Sequence, residues 1–138
     1  MKKYLILLLL FCIGCSKNVN LNCTITDNNS IYGNKKISDT LIFKNDKLIK
    51  FTRTIKFSFY NDMTYNIKNV YKSMKNEAKT FKKFVGGKYK IGKDSNSITT
   101  INNTKKFKDE KLSYIGIDNN SNYTTIKSNY KDMGFSCK

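Results

Sequence analysis

An α+β fold, an antiparallel sheet of about five strands packed by one long helix (about 62–84) and a short C-terminal helix (about 122–133), follows from three features of this 138-residue chain. Early segments alternate apolar and polar residues with a period of two, a central segment repeats its apolar residues at helical spacing, and Asn, Asp and Gly clusters separate them.

The first strand starts at Val19, with Val19, Leu21, Cys23 and Ile25 on one face and Asn20, Asn22, Thr24 and Thr26 on the other. Turn residues 27–30 (Asp-Asn-Asn-Ser) precede a second alternation through Ile37, Leu41 and Phe43. The third strand carries Ile49, Phe51, Ile55, Phe57 and Phe59 inward and Lys50, Thr52, Thr54, Lys56 and Ser58 outward. Asp39 and Arg53 interrupt these two apolar faces. A three-residue loop over 45–47 sets them opposite one another, which predicts a cross-strand ion pair, whereas a loop shifted one residue toward the N-terminus sets Asp39 against Phe51.

Asn61-Asp62 reads as the cap of the long helix, whose inward stripe is Ile67, Val70, Tyr71, Met74, Ala78, Phe81 and Val85. Lys68, Lys72, Lys75, Lys79 and Lys82 form a second stripe, a candidate basic surface, interrupted only by Glu77. A sheet-packed helix with solvated lysines is a more ordinary arrangement for this pattern than a helix lying on a membrane. Gly86-Gly87 ends the helix, and 88–93 and 97–105 read as two strands of weak alternation. Residues 112–117 are ambiguous between strand and loop. Ser121 or Asn122 caps the last helix, with Tyr123, Ile126, Tyr130 and Met133 on one face and Gly134 as its stop.

Residues 1–16 locate the domain. Lys2 and Lys3 precede an apolar run over 4–11 that is too short to span a bilayer, and Gly14 supplies the small residue needed for cleavage. Cys12-Ile13-Gly14-Cys15 resembles a lipobox, with Cys12 where such boxes usually carry leucine. The resemblance implies removal of 1–14, lipid on Cys15, a short tether over 15–18, and a single domain over 19–138 outside the cytoplasm, anchored to the bacterial cell membrane. An ordinary secretory signal is the alternative and leaves the domain outside as well.

Removing the leader deletes two of the 26 basic residues and none of the ten acidic ones, so the remaining 124 residues carry +14, and one domain fits that length. Such a field suits anionic partners: phospholipid headgroups, wall polymers or nucleic acid. Lysine excess alongside abundant Asn, Ile and Tyr is also what AT-rich coding produces. Arg53 is the single arginine, which disfavours specific nucleic-acid binding, because bidentate phosphate and guanine contacts belong to arginine.

With Cys12 removed and Cys15 acylated, Cys23 and Cys137 remain, and an oxidising compartment predicts a disulfide between them rather than two free thiols. Closing a loop of about 100 residues stabilises by roughly 4–5 kcal/mol in the chain-entropy model. Without histidine the chain lacks Ser-His and Cys-His nucleophile pairs, an imidazole base and a His-based metal centre, and two cysteines alone do not complete a zinc shell. No cofactor, metal or catalytic residue is expected.

An acylated Cys15, the Cys23-Thr24 strand, the hairpin Phe43-Lys44-Asn45-Asp46-Lys47-Leu48, a long helix and the run Tyr130-Lys131-Asp132-Met133-Gly134-Phe135-Ser136-Cys137 together resemble the YehR-like small bacterial lipoproteins, in their low-GC Gram-positive form. The resemblance implies an α+β lipoprotein domain with Cys15 as lipid site and no catalytic residues to carry over. The functional expectation is a non-catalytic binding or accessory module that meets anionic lipid, wall polymer or another envelope protein. A carrier of an apolar ligand or peptide in a helix-sheet groove is the alternative, and an enzyme with an unrecognised site comes last.

Overall fold

The computed structural model describes residues 17–105, 107, 117 and 122–138; the leader, Cys15 and all of 112–117 but Ile117 lie outside the described residues. Strands β1 (Asn18–Asp27), β2 (Gly33–Lys44) and β3 (Lys47–Phe59) form an antiparallel meander. Helix α1 (Ile67–Val85) follows, then the hairpin of β4 (Lys88–Lys93) and β5 (Ser97–Thr104), helix α2 (Tyr123–Asp132) and the two-residue β6 (Ser136–Cys137). The sheet order is β4-β5-β3-β2-β1-β6, every pair antiparallel.

Among the described residues the sheet has six strands, not about five. The extra one, β6, pairs only Cys137 with Cys23 and Ser136 with Thr24, too short to show any alternation in sequence. Asn22 and Lys138 extend that pairing by exchanging both backbone hydrogen bonds, at 3.0 and 2.8 Å.

The β2-β3 hairpin corrects the expected loop. The connection is the two-residue turn Asn45-Asp46, with φ of 50° and 64°, the left-handed pair that a type I′ turn requires. By itself this turn would slip the register by one residue. A bulge restores it: Phe43 pairs with Leu48 and Ile42 with Lys50, so Ile49 is the extra residue and faces solvent instead of the core. Asp39 consequently stands opposite Arg53.

The long helix starts at Ile67, later than the expected 62, and its cap is not Asn61-Asp62. The chain first makes two tight turns, with the Met63 N–H donating to Tyr60 O and the Asn66 N–H to Met63 O, and a 3₁₀ turn spans Thr64–Asn66. Asn66 occupies the cap position without a capping side-chain bond. Gly86 and Gly87 end α1 at φ of 97° and 83°, and a Cβ on Gly87 would collide with Asn103 O. In α2 the cap is Asn122, whose side chain accepts the Thr125 N–H at 2.9 Å; Met133, expected inward, lies beyond the helix and is exposed.

Both helices lie on one face of the sheet. Beneath them sit two apolar clusters, one around Leu21, Leu41, Phe51, Phe81, Ile126 and Tyr130, the other around Ile55, Phe57, Met74 and Ile98. Each large buried side chain contributes about 1.5–3 kcal/mol. The opposite face carries mainly Thr, Asn, Ser and Lys, with Ile42 and Ile101 among them, and is linked across strands by Thr40 Oγ1 to Asn22 Oδ1 (2.9 Å) and Thr52 Oγ1 to Asn103 Oδ1 (2.8 Å).

Candidate functional site

Helical spacing sorts α1 into two faces. Met74, Ala78, Phe81 and Val85 are buried against the sheet, and Lys68, Lys72, Lys75, Lys79 and Lys82 are all exposed along the other side. Glu77, the one acid in this helix, turns toward the sheet and accepts from Lys35 Nζ with both oxygens, at 2.9 and 2.8 Å. It therefore does not neutralise the lysine stripe. Like charges at this spacing cost a few tenths of a kcal/mol per pair, offset in part for Lys82 and Lys83 by the negative end of the helix dipole.

Two grooves flank α1. One of about 540 Å³ lies between the first half of α1 and β4, lined by Ile67, Lys68, Tyr71, Ile91, Gly92 and Lys93. A smaller one of about 310 Å³ lies on the other flank, bordered by Tyr32, Phe57, Val70 and Met74 and by the Lys35–Glu77 pair. The apolar residues of α1 between them are packed on the sheet, so the described cavities are side grooves rather than a deep slot beneath the helix.

A single row of residues crosses the covered face: Tyr89, Asn102, Arg53, Asp39, Cys23 and Cys137, one from each strand in register. Cys23 and Cys137 are disulfide-bonded. Asp39, 1% exposed, accepts from Arg53 Nε at 2.8 Å, from Arg53 Nη2 at 2.5 Å and from the Tyr130 hydroxyl of α2 at 2.8 Å. The guanidinium also lies over the Phe51 and Phe81 rings, at 5.7 and 5.3 Å from their centroids. Burial by itself lowers the Arg53 pKa, but hydrogen bonding and the Asp39 charge outweigh it, and the net direction is upward. Burial first, and then the Asp39 charge, push the Tyr130 hydroxyl far above its ordinary range.

This arrangement closes on itself. The carboxylate is engaged by three donors and the guanidinium by two oxygens, so the row holds strands and helix together and presents no nucleophile or base to a substrate. The other half of the row is less satisfied: Asn102 Nδ2 and Oδ1, and Thr100 Oγ1 in the neighbouring row, are buried without a hydrogen-bond partner among the described residues. Among the described residues no group of His, Cys, Asp or Glu is placed to hold a metal ion, and no helix is long and apolar enough to cross a membrane.

Sequence reasoning missed Tyr130 as the third member of the Asp39 cluster, because 91 positions separate them. The only local sign is a tyrosine on the apolar face of a short helix, where its hydroxyl needs a partner. Asn102 carried no sign at all.

No family model matches the chain, and no curated protein matches it. In architecture the chain is similar to a protein from Streptococcus pneumoniae TIGR4 solved by NMR, with a TM-score of 0.55 at 11% identity over 90% of this chain and 87% of that one. At that identity the likeness is one of fold.

Proposed function

We propose that this chain is an extracytoplasmic lipoprotein, held to the bacterial cell membrane through lipid on Cys15, whose domain is a non-catalytic binding module with a basic face on α1. The reading keeps the YehR-like resemblance as its frame. One observation carries the binding role: five exposed lysines run along α1 while its one acid is drawn away to Lys35. The partners that such a face suits are anionic lipid headgroups or wall polymer, or an acidic surface of another envelope protein. Tethering raises the local concentration of all of them. The closed Asp39–Arg53–Tyr130 cluster supports a module that binds rather than catalyses.

Sedimentation of the unlipidated domain with anionic vesicles tests the face. Binding at low salt is expected to fall steeply as ionic strength rises, and Lys72→Glu with Lys79→Glu is expected to remove most of it. No sedimentation at low salt overturns the reading. Mass spectrometry of the natural product tests the anchor, for which an intact leader or an unmodified thiol at position 15 is the negative result. The groove of about 540 Å³ beside β4 favours a second reading, in which the module takes a peptide or an apolar ligand there.

A further inference from the structure

The first half of α1 runs alongside β4, the last strand on its side of the sheet. Ile67 and Tyr71 of α1 are only half-buried, and together with Ile91 on the covered face of β4 they wall a groove that runs beside the last strand. Among the described residues β4 has a neighbour, β5, on one side only, and its other edge presents unpaired backbone donors and acceptors. A strand added there would lie about 4.8 Å further out, with alternate side chains entering the groove. The space beside Gly92 is open, since a Cβ at that position would meet nothing within 4 Å.

The two faces of β4 differ in chemistry. Tyr89 and Ile91 point to the covered side, and Lys88 and Lys90, both exposed, point to the open side. Lys68 and Lys93 stand at the groove itself. Asp94, the nearest acid in sequence, is occupied in the β4-β5 turn, where it accepts from Ser97 Oγ at 3.3 Å. A second copy of this chain would bring its own lysine edge and be repelled. An acidic strand would be attracted.

We propose that the outer edge of β4 and the groove beside it form a docking site for an extended peptide segment with alternating acidic and apolar residues, which joins the sheet as a seventh strand. Its apolar side chains fill the space between Ile67, Tyr71 and Ile91, and its carboxylates meet Lys88 and Lys90. The inference rests on the binding-module reading and names a partner class for the β4 edge, which adjoins the α1 face and shares Lys68 with it.

The test uses the full chain in detergent and a blocked peptide of about eight residues alternating Glu and Val. On binding, hydrogen exchange at the β4 amides is expected to slow by about tenfold or more at saturation. N-methylation of one alternate set of peptide amides is expected to abolish this, and methylation of the other set to leave it, because only one set faces β4. Lys88→Glu with Lys90→Glu, both at exposed positions, is expected to lose the Glu-Val peptide and gain a Lys-Val one. An absence of slowing at β4, or the two methylated peptides protecting β4 equally, overturns the proposal. Vesicle binding through α1 is read separately, so a failed strand test with intact vesicle binding removes only this inference.

Discussion

The two ends of the sheet are built differently. At the β1-β2-β6 end a disulfide, a buried ion pair and the Tyr130 hydroxyl all converge on one row, with α2 closed over them. At the β4-β5 end the same row continues into Asn102, which like Thr100 in the neighbouring row is buried without a hydrogen-bond partner among the described residues, and it stops at Tyr89 on an open edge lined with lysines. Covalent and charged links gather at one end of the sheet. The end without them carries the larger of the two described grooves.

Breaking the clamped end should give the largest effect. Replacing Cys23 and Cys137 together by serine is expected to lower stability by about 4–5 kcal/mol in the chain-entropy model, read as a drop in urea midpoint. A loss under about 1 kcal/mol would mean that the clamp is not where the stability resides.

Tyr130→Phe tests the same end through pH. The Tyr130 hydroxyl titrates higher in the folded chain than in the unfolded one, so its contribution is present below the unfolded value of about 10 and is lost as pH rises above it, where only the unfolded state releases the proton. Tyr130→Phe is expected to cost about 1.5–3 kcal/mol at neutral pH, the range for a hydrogen bond to a charged group. It should also flatten the decline of stability above about pH 10 relative to the parent. Parallel alkaline profiles for the two proteins would contradict the assignment.

The smallest effect, of opposite sign, is expected at the open end. Asn102→Leu and Thr100→Val remove unpaired polar atoms, and each should raise stability by up to about 1 kcal/mol in the same urea experiment. A loss of more than about 1 kcal/mol for both would mean that these groups are satisfied in solution, by water for instance, and the contrast between the ends would narrow.

What could be read in the sequence divides along the same line. Strands β1 to β3 alternate cleanly because one face is apolar and the other polar, and the Asp39–Arg53 opposition was legible as two charges interrupting facing apolar stripes. The route to it was not, because a two-residue turn and a bulge at Ile49 give the same register as a three-residue loop. The register of β5 was hidden because its covered face carries Thr100, Asn102 and Thr104 beside a single isoleucine, Ile98, and so lacks a hydrophobic period. Asn61-Asp62 misled because a turn pair resembles a cap until the backbone bonds of Met63 and Asn66 are known. Within the candidate site, the lysine stripe was legible from spacing alone, whereas the diversion of Glu77 to Lys35 and the reach of Tyr130 depend on contacts across 42 and 91 positions.

The place of β6 beside β1 sets an order of assembly. Strand β1, the first of the described strands, is flanked on one side by a segment made 114 positions later, so that flank stays bare until the β2-to-α2 region between them has been made. Such long-range closure slows folding. A product cut short anywhere before Ser136 would display an unguarded β1 and a lone thiol, a form that a quality-control protease could tell from the finished article by that flank alone.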